Sequence, residues 1–164
     1  MTVTEERTPP VVRAATEADL EDLLALYAVL DEMQLPWRVF EPRLDQMAEA
    51  EVRFRAALSD PDARVCVAVR ARAIVAMGIG RVGVASLVSD ERSLELTSVV
   101  VRPGDRGRGI GRTIVEDLLA FGRSRGVRVV SLRVFAENRD AVTFWTSLGL
   151  RPRIVQMVGE VGHL

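Results

Sequence analysis

The chain is 164 residues long and carries 22 basic against 23 acidic side chains. That length predicts a single domain, and the even balance excludes the basic excess of a nucleic-acid-binding protein. Hydrophobic residues make up 48% of the sequence, enough for a full core, yet no run approaches the ~20 apolar residues that cross a membrane.

Residues 1–10 are polar, carry Glu5, Glu6 and Arg7, and end in Pro9-Pro10. They read as a disordered leader with no run of signal-peptide character, so a cytoplasmic location is expected. Residues 11–164 form the expected domain. Val11 to Ala14 suits a short strand. Thr16, followed by Glu17 and Asp19, has the form of a helix N-cap with early acids. Leu20, Leu23, Leu24, Tyr27 and Leu30 then recur at helical spacing, predicting a helix over 17–31. A loop around Leu35-Pro36-Trp37 leads past Phe40 and Pro42 to a second helix over about 43–58, with Leu44, Met47, Val52, Phe54 and Leu58 as its apolar positions.

Ser59-Asp60-Pro61-Asp62 is a turn. Strands are expected over 64–70, 73–82 and 93–102. Arg70-Ala71-Arg72 suits a tight connection between the first two, and residues 83–92 connect the last two. The lone cysteine, Cys66, lies in an apolar run and reads as a small buried hydrophobe; a single thiol excludes an internal disulfide. A long helix over about 110–125 presents Ile110, Ile114, Leu118 and Phe121 on one face and ends at Gly126. Val127 to Phe135 reads as a strand. Asn138 caps a short helix that reaches Leu148 and is stopped by Gly149, and Arg151 to Val158 reads as a last strand. The lone histidine, His163, sits beside the C-terminus, so no metal site of histidine and cysteine is expected. Consecutive strands imply antiparallel pairs, and the later strand-helix-strand units imply a parallel crossover, so the class is α/β (α+β) with a mixed sheet.

The stretch Val99-Val100-Val101-Arg102-Pro103-Gly104-Asp105-Arg106-Gly107-Arg108-Gly109-Ile110-Gly111-Arg112 runs a strand into a glycine-rich loop that opens the long helix. Glycines there let the backbone approach a ligand and take conformations closed to other residues. The N–H groups of residues 107–112 can converge on an anion, helped by the helix dipole. Arg106, Arg108 and Arg112 crowd positive charge where the dipole disfavours it, which points to an anionic ligand rather than an ordinary turn. The sequence contains no lysine, which excludes the P-loop and any lysine base. The dinucleotide fingerprint also fails, because its third glycine would fall at Arg112 or Ile114.

The pattern that does match is Arg/Gln-x-x-Gly-x-Gly/Ala, at Arg106 to Gly111. A second motif follows about thirty residues on: Asn138-x-x-Ala141-x-x-Phe144-Trp145-x-x-x-Gly149-Leu150. With these two motifs in this order, the chain resembles the GCN5-related N-acetyltransferase (GNAT) superfamily over roughly residues 11–158. The resemblance implies a single-domain fold, a mostly antiparallel sheet of about six to seven strands flanked by about four helices. It implies acetyl-CoA as cosubstrate, its pyrophosphate held by Arg106, Gly107, Arg108, Gly109, Ile110, Gly111 and Arg112. It implies that the strand Val99, Val100, Val101 splays from its neighbour, so that the backbone of Val99 and Val101 pairs with the pantetheine arm. Asn138 is the family position that contacts that arm; as a helix N-cap it has an equally ordinary role.

The activity so implied is transfer of an acetyl group to a primary amine, of a small molecule or an exposed peptide, by direct attack in a ternary complex. An alkyl ammonium of pKa ~10 must first lose a proton. Glu95, four residues before Val99, is the candidate base. A glutamate two residues further on serves in other members, and Thr97 stands there; period-two geometry places 95 and 97 on one face. The alternative for Glu95 is a solvent-facing glutamate paired with Arg92. The backbone N–H near Val99 is the implied oxyanion donor. Trp145 departs from the family's tyrosine, and indole cannot protonate a leaving thiolate. Tyr27, the only tyrosine, is expected in the core. Asp31, Glu32, Trp37, Arg38 and Phe40 lie where acceptor specificity is set, and acid beside aromatic suits a cationic amine. Two other readings stand beside transfer: an acyl-CoA-binding sensor without turnover, and an interaction domain with a degenerate site. No nucleic acid, membrane or metal partner is expected. Ile154, Val155, Met157 and Val158 on the last strand suit pairing across a homodimer interface.

Overall fold

The computed structural model describes residues 9–38, 40, 44–86, 89–159 and 161–163. Most of the expected leader, residues 1–8, lies outside them, as do Pro42 and the expected first residue of the second helix, Arg43. Strand β1 (Val11–Ala14) leads through a single 3-10 turn at Glu17–Asp19 into helix α1 (Leu20–Gln34). Helix α2 (Gln46–Ser59) follows, then β2 (Ala63–Arg70), β3 (Ala73–Ser86) and β4 (Ser89–Val101). Helix α3 (Ile110–Ser124), β5 (Val129–Leu132) and α4 (Arg139–Ser147) complete the order. The sheet runs β1-β2-β3-β4-β5, antiparallel except for the parallel β4–β5 pair. The mixed, mostly antiparallel sheet and the four α-helices among the described residues are the architecture expected.

Two layers cover the sheet. Ile110, Ile114, Val115 and Leu118 of α3 pack with Cys66, Ala76, Leu94 and Leu96 on one face. Leu20, Leu23 and Leu26 of α1 and Phe54 of α2 pack with Val67, Met77 and Val100 on the other. Gly78 lets α3 lie directly on β3: a β-carbon there would sit 2.4 Å from an Ile114 methyl. Burial pushes the Cys66 thiol up to about 12, with Asp117 adding to the effect. It stays protonated and acts as the small core residue expected. Tyr27 packs edge-on against Phe54, ring centroids 5.6 Å apart, also as expected.

Three expectations change. The sheet has five strands among the described residues, because residues 151–158 form no strand and leave Ile154, Val155 and Met157 largely exposed. The outer edge of β5 is open among the described residues, so composition alone does not seat this segment on it. Of the connection expected over 83–92, residues 83–86 and 89–92 are instead strand, with Ser86 paired to Ser89 and Val84 to Arg92; backbone pairing extends both strands beyond the apolar stretches that predict them. On α2, Val52 and Met47 face outward while Ala50 and Phe54 are buried, and Leu44, expected on this helix, precedes its start and is exposed.

Thr16 caps the first turn as the sequence predicts. The Asp19 carboxylate accepts from Thr16 N at 2.8 Å and takes both Nη atoms of Arg13 at 2.7 and 2.8 Å. Arg13 first, with help from Thr16, lowers Asp19 to about 2. A depressed folded-state value stabilises the native form above the unfolded carboxylate's ordinary range and loses that stabilisation as pH falls through the folded value. Asp19→Asn is therefore expected to cost about 1–2 kcal/mol at pH 7. In urea titrations the gap between wild type and variant should persist down to about pH 4 and close by about pH 2.

Candidate active site

The site is built where β4 leaves β5. Pairing between them covers only Ser93–Leu96 with Val129–Leu132, and β4 continues five residues beyond on β3 alone. Strands that part in this way leave a row of unpaired backbone groups along one edge. The register shows which groups these are. Arg102 N donates to Val75 O at 2.9 Å, so residues 102 and 75 form a hydrogen-bonded pair. Antiparallel pairs alternate. Val100 with Met77 is then the next bonded pair, while Val99 opposite Gly78 and Val101 opposite Ala76 turn their N–H and C=O away from β3, into the opening beside β5.

Val99 and Val101 therefore face the cleft with their backbone while their side chains pack on the α3 core. Val100 does neither: its backbone belongs to the β3 ladder, and its side chain is buried on the α1 face. It supports the strand and leaves no group for a ligand.

At the end of β4, a single 3-10 turn at Pro103–Asp105 brings the chain into the glycine loop. Gly107 and Gly109 have φ of +73° and +79°, in the region where a β-carbon clashes with its own carbonyl. Gly109 is the N-cap of α3. Gly111 has a different role from the one expected: it is helical, and a β-carbon there would press on the Phe144 ring at 3.3 Å. Its smallness seats the start of α3 against α4.

The N–H groups at the start of a helix lack internal acceptors. Among the described residues nothing accepts from the N–H groups of residues 107–112. The buried Ile110 side chain anchors this first turn in the core, so the free donors are held by packing. Arg108 and Arg112 are exposed and have no ion-pair partner among the described residues. Arg106 is engaged: Nε donates to Val101 O at 3.1 Å and Nη2 contacts Met33 Sδ on α1. Free donors, two guanidiniums without ion-pair partners among the described residues, and an adjoining strand edge whose Val101 carbonyl accepts from Arg106 make a surface able to hold a polyanion joined to an amide-bearing chain.

Glu95 pairs with Ser131, one rung before β4 and β5 separate, so it stands at the apex of the cleft. It is half-exposed, and its carboxylate accepts from Arg133 Nη2 at 3.4 Å. The expected partner Arg92 is bound to Asp62 instead, at 2.9 Å. Glu95 and Thr97 do not share an unbroken strand face as period two requires. A bulge between Leu96 and Ser98 leaves Thr97 without a cross-strand partner. Leu94 and Leu96 before it, and Val99 and Val101 after it, all pack in the α3 layer, which shows the alternation resetting at Thr97.

Asn138 Oδ1 accepts from Ala141 N at 3.1 Å, the ordinary N-cap bond of α4. Trp145 packs at the rim of the α3 core with its ring 4.9 Å from Phe144. Trp37 reaches Phe135, beyond the end of β5, with ring centroids 6.3 Å apart, and so places the 3-10 turn Leu35–Trp37 at this end of the sheet. Asp31 is bound by Arg38 and Gln46, so neither Asp31 nor Arg38 offers a free charge. Phe40 is largely exposed. Two features of the site escape the sequence: the bulge at Thr97 and the pairing of Arg70 with Asp105 beneath the loop.

The model of the acetyltransferase (GNAT) family matches residues 26–150 of the chain. This protein belongs to the GNAT acetyltransferase family. Among curated relatives, the uncharacterized N-acetyltransferase MJ1207 of Methanocaldococcus jannaschii is 36% identical over 61 residues, 37% of this chain and 27% of that one. N-alpha-acetyltransferase 80 of Mus musculus is 35% identical over 71 residues, 43% of this chain and 21% of that one. The chain thus matches about a quarter of the length of these relatives. Among solved structures, a tetramutant of the BH1408 protein from Bacillus halodurans superposes with a TM-score of 0.82 at 25% identity, over 92% of this GNAT chain and 99% of that one. The aminoglycoside N-acetyltransferase AAC(6')-Iy, solved with CoA, shares the fold at a TM-score of 0.75 and 14% identity, over 94% of this chain and 97% of that one.

Proposed function

We propose that this GNAT protein transfers an acetyl group from acetyl-CoA to the nitrogen of a primary amine, on a small molecule or an exposed peptide. One observation carries the reading. The free donors of residues 107–112 follow in the chain on the outward backbone of Val99 and Val101, an order that suits a diphosphate followed by the amides of pantetheine. The CoA complex of AAC(6')-Iy, which has the same fold, supports it.

In this reading the loop amides hold the diphosphate, with Arg108 and Arg112 adding charge. Val99 and Val101 orient the pantetheine arm, and the Asn138 side-chain amide lies near it. Bound acetyl-CoA supplies an activated acyl group as a thioester. Val99 N–H donates to the thioester carbonyl oxygen as negative charge builds there. Glu95 takes the proton from the attacking amine, directly or through water. Trp145 has no acidic proton to give, so the thiolate, of pKa ~8.5, departs without a tyrosine acid. Direct attack in a ternary complex requires no nucleophile from the chain, in keeping with a buried, protonated Cys66.

The test adds a panel of polyamines, amino acids and aminoglycosides to protein and acetyl-CoA and follows free thiol. Release with at least one amine is the expected result. Saturable coenzyme A binding without release across the panel makes the protein an acyl-CoA sensor instead. The exposed Ile154, Val155 and Met157 support a homodimer, for which light scattering should report twice the mass of 18.1 kDa.

A further inference from the structure

The glycine loop is held from below by a part of the chain that no sequence motif includes. Asp105 is the last residue before Arg106, and its side chain is 10% exposed. A carboxylate so placed needs a partner. It has one in Arg70, whose side chain is 19% exposed and which lies at the end of β2. Arg70 and Ala73 close the β2–β3 hairpin, and the two residues between them are strained: Ala71 and Arg72 have φ of +48° and +65°. A two-residue turn of that hand normally takes asparagine or aspartate with glycine. Strain of this kind persists where surrounding structure over-determines it and concentrates at functional sites.

The same hairpin makes a second attachment. A register shift opposite Ala68 and Val69 leaves Val75 as the extra residue on β3, and its carbonyl accepts from Arg102 N at 2.9 Å. Arg102 O in turn accepts from Asp105 N at 2.9 Å. The hairpin thus holds the segment 102–105 at both ends, by a backbone bond at Arg102 and an ion pair at Asp105. Only Arg106 separates that segment from the first left-handed glycine.

We infer that Arg70, acting through Asp105, is a positioning residue for the cofactor: the pair fixes the entry of the glycine loop so that its amides converge before the ligand arrives. The inference rests on the proposed reading of that loop as the diphosphate site. Neither side chain touches the ligand. Their effect is preorganisation, which lowers the ordering cost of binding.

Calorimetric titration of the full chain with coenzyme A tests it, together with hydrogen exchange of the ligand-free protein. Asp105→Asn and Arg70→Ala are each expected to raise Kd about tenfold, and the double variant no further than the weaker-binding single one. The hydrogen-bonded amides of Arg102, Asp105 and Arg106 should exchange faster in the variants while those of β2 and α1 keep their wild-type rates; a merely structural pair would move all of them together. Should Asp105→Asn fail to fold, Arg70→Lys, which keeps the charge and loses the planar fork, is expected to raise Kd about threefold. Wild type that binds coenzyme A, with Asp105→Asn (or Arg70→Lys in its place) binding within measurement error of it, overturns the positioning role alone. Wild type that shows no binding removes the loop assignment and this inference with it.

Discussion

Gly109→Asp is expected to raise the Kd for coenzyme A at least about 100-fold while leaving the fold in place. Gly109 has φ of +79° and caps α3, with open space where a β-carbon would go. No packing is lost by adding a side chain there. Aspartate tolerates the left-handed region better than most residues, and the conformational cost of about 1 kcal/mol is partly offset, by about 0.5 kcal/mol, through a carboxylate at the positive end of the helix. Thermal unfolding should therefore move by only a few degrees. Binding should respond far more, because the new carboxylate occupies the focus of the free N–H groups and repels a diphosphate at short range. Gly104→Ala is the control: Gly104 precedes the loop, has no left-handed φ and has open space around it, so both readouts should stay near wild type. Equal affinity of the Asp variant and wild type for coenzyme A, measured by calorimetry, removes the loop assignment.

The loop was readable from one sequence because what it needs is local. Left-handed glycines, a helix start and alternating arginines lie within seven residues, and each has a reason that requires no tertiary contact. The same holds for Thr16 before α1, for Gly126 after α3, and for Asn138 at the head of α4. These residues answer to backbone geometry within one turn.

What was not readable depends on partners distant in sequence. Arg70 and Asp105 are 35 residues apart and meet only once β2, β3 and β4 are side by side. The bulge at Thr97 exists only relative to the register of β3, so a strict alternation over residues 93–102 misplaces faces after Leu96. Asp31 and Arg38 look like free specificity groups in one dimension, and the fold pairs them. The segment 151–158 has the composition of a strand and forms none, although the outer edge of β5 is open among the described residues: apolar composition does not by itself select a pairing partner. The resemblance to the GNAT family carried what local physics did not: that β4 and β5 part, and that the open edge of Val99 and Val101 is the surface to watch.

Glu95→Gln is expected to lower kcat/KM for an amine acceptor by about 10²–10⁴ at pH 7 while coenzyme A affinity stays unchanged. Gln keeps the shape and the contact with Arg133, and it removes only the ability to take a proton. Glu95 stands at the apex of the opening, six residues back along β4 from the strand end that leads into the proposed diphosphate loop, so binding and chemistry are expected to separate. The dependence on pH, read with the split between kcat and KM, identifies the role. At pH 7 an alkyl ammonium of pKa ~10 is almost wholly protonated, and the base is needed; as pH rises towards 10 the amine sheds its proton unaided. The defect should shrink steadily between pH 7 and pH 10, wild type and variant converging at the alkaline end. A group that merely holds the acceptor ammonium through its charge would also lose its effect as that charge disappears, but its removal would raise KM and leave kcat near wild type. A raised KM with unchanged kcat assigns Glu95 to acceptor binding, and full activity in the variant at pH 7 moves the proton-accepting step to another group at the mouth of the cleft.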